Sequence, residues 1–111
     1  MVDDAVFKIE QELRRGALAL VVLSQLKSAQ YGYSLRQALS KRGMTIEEGT
    51  LYPLMRRLEG QGLLVSEWQM EDGPPRRYYR LSADGRRALI ALRRAWRDLA
   101  ETMHEFLDGE T

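Results

Sequence analysis

The spacing of apolar residues changes twice along this chain. Up to residue 62 the apolar residues recur every three or four positions, as in an α-helix, and from residue 82 this spacing returns. Between these two parts, residues 63–70 and 76–81 alternate in polarity and enclose the turn-forming stretch 71–75. The chain is therefore predicted to be mainly α-helical with one small β-hairpin.

Three helices are expected before the hairpin and one long helix after it. Gly32 can take a positive φ at the break between the first two helices, and Gly43 is placed to end the second. Thr45 has capping-box spacing before the third helix, whereas Pro53 favours a beginning nearer Glu48. Short helices joined by a Gly-containing turn and followed by a hairpin are the sequence layout of a winged helix-turn-helix.

One side of the third helix is apolar, and the other carries groups that suit a nucleic acid. The apolar stripe consists of Leu51, Leu54, Met55 and Leu58. On the opposite side, small residues would let the backbone approach DNA, hydroxyl groups can bond phosphates, and arginines can reach base edges or phosphates. The alternative is that Tyr52 packs on the second helix while the arginines are merely solvated. The residues on or beside this side are Gly49, Thr50, Tyr52, Pro53, Arg56 and Arg57.

The hairpin adds two arginines directly after its tip, Arg76 and Arg77. A protruding ribbon with arginines can enter a minor groove or clamp the DNA backbone. Alternation along the returning strand predicts that Tyr79 faces the core. Glu71 and Asp72 at the tip would repel phosphate, which counts against deep insertion.

The net charge of +1, from 17 basic and 16 acidic residues, does not by itself suggest nucleic-acid binding. The distribution is more informative, because residues 76–97 carry eight arginines against the single acidic Asp84. Such a block needs phosphate, another part of the fold, or both as its partner; a solvated charged face is the alternative.

The last helix, for which Ser82 is a suitable N-cap, carries a seven-residue apolar repeat. A helix with such a seam cannot bury it in so small a monomer, so pairing with a second copy is expected; packing into the monomer core is the alternative. Arginines precede acidic residues along this helix, and an antiparallel second copy would bring the two halves together. The residues of the seam are Leu89, Leu92, Trp96, Leu99, Met103 and Phe106.

The composition argues against several other classes of protein. The chain has no cysteine and one histidine, His104, which excludes thiol catalysis and makes metal sites and a Ser/His/Asp triad improbable. No apolar run approaches the length of a membrane span, and the acidic N-terminus is unlike a signal peptide. We expect a cytoplasmic protein that is not an enzyme, needs no cofactor and contacts no membrane.

Several motifs together resemble the PadR-like family of bacterial transcriptional regulators. They are Tyr31–Tyr33, the string Glu-Gly-Thr-Leu-Tyr-Pro-Leu at 48–54, Arg57–Glu59, Gly62–Leu64, Arg76–Ser82 and Gly85, within a match over about 13–107. The resemblance implies a winged-helix homodimer that represses genes by binding a palindromic operator on double-stranded DNA. It makes the third helix the recognition helix and the hairpin the wing. It also adds Tyr33 to the residues that face or approach DNA.

The predicted organisation follows from these observations. We expect a DNA-binding domain over 1–81, with helices at about 5–28, 33–42 and 48–60 and a wing at about 63–81, then a dimerisation helix over 82–107 and a tail over 108–111. The alternative function is a winged-helix module whose third helix and hairpin bind a protein instead of an operator.

Trp96 raises a second question. In short, multidrug-sensing relatives a tryptophan at this position lines a pore at the dimer centre and stacks on flat aromatic drugs, so the resemblance implies a small aromatic effector. Arg93 and Ala100 flank Trp96 in this helix, and a pore with Arg93 would suit an anionic or phenolic effector. The heptad position of Trp96 also suits plain dimer packing, and packing is the favoured interpretation.

Overall fold

The computed structural model describes residues 1–70 and 72–109 of the chain. Glu71, predicted to lie in the hairpin turn, and residues 110–111 of the predicted tail are outside the described residues. The elements in chain order are α1 (Val2–Gln25), β1 (Gln30–Tyr31), α2 (Gly32–Lys41), α3 (Glu48–Gly60), β2 (Leu64–Gln69), β3 (Arg76–Leu81) and α4 (Ala83–Asp108).

The first helix begins and ends three residues earlier than the expected 5–28. It ends at Gln25 because the backbone beyond it is used elsewhere: the Leu81 N–H donates to the Leu26 carbonyl, and the Gln30 side chain donates to the Gln25 carbonyl. Residues 17–26 are all buried or half-buried, whereas residues 1–16 are exposed. Only the C-terminal part of α1 therefore belongs to the core of this chain.

The sheet has three strands and not the two that were expected, in the order β1-β3-β2. Gln30 and Tyr31 pair antiparallel with Tyr79 and Tyr78 of β3. A strand of two residues is too short to show alternation in the sequence, so only the long-range pairing with β3 defines it.

Turns and caps follow local sequence at most positions. Gly43 has a φ of +93°, and the bonds from its N–H to Ser40 and from Met44 to Leu39 close α2 as a Schellman motif. At the start of α3 the N-cap is Glu47, without a side-chain bond, so the capping box expected at Thr45 does not form. Pro53 lies inside α3, which begins at Glu48, as the proline predicted.

Gly32 does not use the positive φ expected of it; a Cβ there would overlap the Tyr52 ring. Its role is close packing between the start of α2 and the middle of α3. Tyr52 is thus held against α2 by a contact between residues 20 positions apart, which local sequence cannot reveal.

The core joins the ends of α1 and α2 to α3, the sheet and the first half of α4. Its buried members include all four apolar residues predicted for α3, and Tyr79 of β3 faces it as the alternation predicted. Leu89 is 4% exposed and belongs to this core. The chain is therefore mainly α with a small sheet: a winged helix with a long C-terminal helix. The core consists of Leu18, Val22, Leu23, Leu26, Leu35, Leu39, Leu51, Leu54, Met55, Leu58, Leu64, Tyr79, Leu81 and Leu89.

Candidate nucleic-acid interface

The outer side of α3 is solvent-exposed along its length. Leu51, Leu54 and Met55 point into the core, so helix geometry turns Gly49, Pro53 and Arg56 outward. All three outward residues are exposed. This arrangement gives α3 a face that carries no large apolar group and ends in a guanidinium.

The residues that the sequence predicts to bind DNA do not all lie on one surface. Tyr33, Tyr52, Arg56, Arg76 and Arg77 line a common cleft between the start of α2, the outer side of α3 and the wing.

Four other predicted residues, Gly49, Thr50, Pro53 and Arg57, are exposed outside this cleft. Thr50 borders a second groove, between α1 and the loop before α3. The outer side of α3 thus stands beside the cleft, with Thr50 turned toward α1.

Tyr52 contributes to the cleft as a packed residue. It is half-buried, and its ring lies against Gly32. The packing interpretation therefore holds for the ring of Tyr52.

Arg76 lies on a cluster of tyrosines of which the sequence indicated only Tyr33 as a site residue. Its guanidinium carbon is 4.7 Å from the centroid of the Tyr31 ring, which is 5.2 Å from Tyr78 and 6.4 Å from Tyr33. Cation–π stacking of this kind restrains an arginine without neutralising its charge. Alternation along β3 puts Tyr78 on the same face as Arg76, whereas Tyr31 joins them only through the β1–β3 pairing.

Arg77 lies on the other face of the wing and is engaged by the fold. Its Nε donates to Ser66 Oγ at 2.9 Å, and its Nη2 is 3.2 Å from Glu59 Oε1. Ser66 Oγ in turn donates to Glu59 Oε2 at 2.6 Å. Sequence reasoning missed Glu59 and Ser66, because no pattern within one element signals a bond between α3 and the two wing strands.

A separate apolar groove runs between α1 and the outer part of α4. Trp96 and Leu99 lie in its wall together with Leu13 and Ala17 of α1. Arg93 and Ala100 lie on the other side of Trp96, as their positions around the helix require. Trp96 is 52% exposed in the single chain.

The seam of α4 is divided between two environments. Leu89 is buried in the chain's own core, so it is withdrawn from any surface offered to a second copy. The remaining seam residues are exposed by 37% or more: Leu92, Trp96, Leu99, Met103 and Phe106.

Metal-binding clusters and membrane-spanning helices are both absent from the described parts of the chain. No cluster of three or more metal-binding side chains occurs within residues 1–70 and 72–109. Among the same residues, none of the helices combines the length and apolar character needed to cross a membrane.

Comparison with known proteins places this geometry in a family. The model of the transcriptional regulator PadR-like family matches residues 20–91. The chain is 42% identical over 102 residues to the transcriptional regulator Rv3488 of Mycobacterium tuberculosis (strain ATCC 25618 / H37Rv), covering 91% of this chain and 92% of that protein.

Solved structures agree with the sequence matches. A PadR family transcriptional regulator from Eggerthella lenta DSM 2243 superposes with a TM-score of 0.91 at 46% identity, over 98% of this chain and 97% of that one. A PadR-like transcriptional regulator from Bacillus cereus strain ATCC 14579 gives a TM-score of 0.78 at 28% identity, over 89% and 99% of the two chains.

Proposed function

The chain belongs to the PadR-like family of transcriptional regulators, DNA-binding winged-helix proteins, and we propose that it is a repressor that binds a palindromic operator as a homodimer. The observation that carries this proposal is the cleft in which Tyr33, Tyr52, Arg56, Arg76 and Arg77 converge from three elements. Tyrosine hydroxyls and guanidinium groups are the kinds of donor that phosphates and base edges require.

Recognition is divided between α3 and the wing in this proposal. Gly49, Thr50 and Pro53 allow the start of α3 to approach the major groove closely, with Arg56 and Arg57 reaching bases or phosphates from the next turns. Arg76 reaches a phosphate or the minor groove from the wing. Between the wing and α3, the hydroxyl groups of Tyr33 and Tyr52 bond phosphates of the DNA backbone. Arg77 borders this surface, with its guanidinium turned toward Glu59 and Ser66.

The homodimer is supported by apolar surface that a single chain leaves uncovered. The exposed part of the α4 seam stands beside α1, whose first half presents Val2, Val6, Ile9 and Leu13 to solvent. A second copy would cover both stretches, and a symmetric dimer would match a palindromic site. The interface residues we propose are Leu92, Trp96, Leu99, Met103 and Phe106.

Trp96 is assigned first to that interface. The apolar groove beside it is also where a flat aromatic effector would stack, as the resemblance implies. Arg93, on the other side of Trp96, would then favour an anionic or phenolic compound. In a Trp68→Phe variant, where Trp96 is the remaining tryptophan, quenching of its fluorescence by such a compound, with loss of operator binding, is the expected sign of an effector.

The proposed division of the chain runs at residue 81. In this division residues 1–81 bind DNA and α4 (Ala83–Asp108) is the dimerisation helix, so Asp108, which was expected in the tail, belongs to the helix. Burial of Leu89 ties the first turns of the dimerisation helix to the DNA-binding part, so a change at the dimer interface can reach the wing through a continuous helix.

The decisive test is a titration of the protein into a labelled duplex from upstream of its own gene, against a scrambled duplex, at several salt concentrations. We expect preference for the upstream duplex and a steep salt slope, because each phosphate contact releases counterions. Equal, weak binding of both duplexes at every salt concentration would contradict operator binding upstream of this gene and favour a protein-binding winged helix or a distant operator.

A further inference from the structure

One polar network connects the recognition helix to both strands of the wing. Glu59, in the last turn of α3, accepts from Ser66 of β2 at 2.6 Å and pairs with Arg77 of β3 at 3.2 Å. Ser66 also accepts from Arg77 Nε at 2.9 Å, which closes a triangle of three side chains. The side chains of Arg77 and Glu59 are 40% and 28% exposed, so water screens the pair only in part.

This triangle lies at the outer limit of the part of the wing that the core holds, since Ser66 pairs in the sheet with the buried Tyr79. At the base of the hairpin, Leu64 and Leu81 are buried and pair with each other in the sheet. Two residues further along β2, Ser66 is the next inward-facing position, and Trp68 beyond it is 57% exposed. Among the described residues, this network is the outermost set of hydrogen bonds between the wing and α3.

Arg76 and Arg77 are neighbours of equal charge, but their guanidinium groups have different partners. Arg76 is exposed and stacks on Tyr31, so its guanidinium edges remain available to an anion. Arg77 donates from Nε and Nη2 to groups of its own chain, and its guanidinium carbon lies 5.8 Å from the Trp68 ring centroid and 5.6 Å from that of Tyr79.

We propose that Arg77 is a positioning residue: through Glu59 and Ser66 it fixes the angle between the wing and the recognition helix, so that Arg76 meets the DNA while α3 lies in its groove. The inference rests on the proposed DNA-binding function and deepens it. It assigns the phosphate contact of the wing to Arg76 and reassigns Arg77 from contacting DNA to holding the wing.

Because Glu59 is negatively charged, the direction in which Glu59→Gln changes DNA affinity tests the proposal. A carboxylate beside a DNA-binding cleft repels phosphates. If Glu59 only competed with DNA for Arg77, Glu59→Gln would free the arginine, remove the repulsion and tighten binding. If Glu59 holds Arg77 in place, the same variant loosens the wing, and we expect affinity for the upstream duplex to fall about tenfold, as for removal of one member of a bonded network.

A second variant tests geometry at constant charge. Arg77→Lys keeps the positive charge that a phosphate contact needs, but an ammonium cannot reproduce the planar fork that bonds Ser66 and Glu59 together. We expect Arg77→Lys to lose about tenfold in affinity as well. Arg80→Lys is the matched control in the same strand and should retain affinity within about threefold, since Arg80 is exposed and belongs neither to the cleft nor to the triangle.

The double variant completes the cycle. Glu59→Gln combined with Arg77→Lys should bind no more weakly than either single variant, because both break the same triangle. Circular dichroism and thermal unfolding establish that each variant is folded when its DNA binding is measured. Unchanged or tighter binding by folded Glu59→Gln, full affinity of folded Arg77→Lys, or strictly additive losses would each overturn the proposal.

Failure of operator binding and failure of the positioning role of Arg77 give different results. If the wild-type chain binds upstream and scrambled duplexes weakly and equally, operator binding fails, and the positioning role that rests on it fails too. If the wild-type chain prefers the upstream duplex while the Glu59 and Arg77 variants bind as well as it does, the positioning role alone is overturned.

Discussion

At Gly32 and Gly85 the neighbouring atoms, and not a positive φ, require glycine. A Cβ at Gly85, in the first turn of α4, would overlap the Leu63 carbonyl oxygen, and one at Gly32 would overlap the Tyr52 ring. The Leu63 carbonyl also accepts from the Ser82 N–H, so it cannot turn away without loss of that bond. The obstacle at Gly32 is the far end of a side chain, which makes Gly85 the stricter position.

Gly85→Ala is therefore predicted to destabilise the fold by about 1–3 kcal/mol, the usual cost of forcing a methyl group into a packed site. Gly60→Ala is the matched control, because Gly60 is helical and has nothing within 4 Å of an added Cβ. It should leave stability unchanged or raise it by up to about 1 kcal/mol. Urea unfolding of the two variants measures the difference, and equal midpoints would contradict the close approach of α4 to Leu63.

Arg56 and Arg76 are expected to serve DNA in different ways. Arg56→Ala should cost about 1–3 kcal/mol on the operator and much less on scrambled DNA if the side chain reads a base. Arg76→Ala should weaken both duplexes similarly and reduce the salt slope by about one. Fluorescence anisotropy at several salt concentrations separates the two effects. Equal losses on both duplexes for Arg56→Ala would remove this residue from base readout.

At the scale of elements, α4 changes its role along its length. Its first turns are capped by Ser82, whose Oγ accepts from the Gly85 N–H, and they place Leu89 in the core. From Leu92 onward the seam is exposed, and the groove beside it is shared with α1. The two uncovered helices together form the surface on which pairing of two copies depends in our proposal.

Leu99→Glu is predicted to raise the dissociation constant of the dimer about thirtyfold or more, the equivalent of ~2 kcal/mol for a central apolar contact. Ile90→Glu is the control, because Ile90 is 61% exposed and lies on the side of α4 opposite the seam. Sedimentation equilibrium gives both constants. A dimer unaffected by Leu99→Glu would show that the seam is not the interface.

At the scale of the whole molecule, the chain is elongated, with extents of 59 × 34 × 24 Å, because α1 and α4 both continue beyond the core. Its charges are also separated. Among the described residues Arg93, Arg94 and Arg97 form no ion pair within the chain, while acidic residues fill the end of α4 and the start of α1. Arginines ahead of acidic residues oppose the helix dipole, which favours an external partner for both groups.

Reversing two of these charges, Arg93→Glu with Arg94→Glu, should weaken the dimer by placing like charges against the acidic segments of the partner copy. The effect should diminish as salt rises, since the Debye length falls from about 10 Å at 0.1 M to about 3 Å at 1 M. Mass measured by light scattering at both salt concentrations checks this. Unchanged mass together with unchanged DNA affinity would mean that these arginines are simply solvated.

The sequence by itself determined the features that depend on neighbouring residues. The apolar stripe of α3, the cap at Ser82, the end of α2 at Gly43 and the inward-facing Tyr79 all follow from periodicity or local backbone bonding. The motifs in α3 and β3 likewise indicate the family. Such features are readable because their partners are at most a few positions away.

Tertiary structure decided every feature in which distant residues meet. It added the strand at Gln30–Tyr31, packed Tyr52 on Gly32, withdrew Leu89 into the core and engaged Arg77 with Glu59 and Ser66. The two arginines after the hairpin turn look equivalent in sequence, and only the pleat of β3 and the position of α3 distinguish them. The physical reason is that periodicity states which side of an element a residue is on, whereas the packing of elements determines what that side meets.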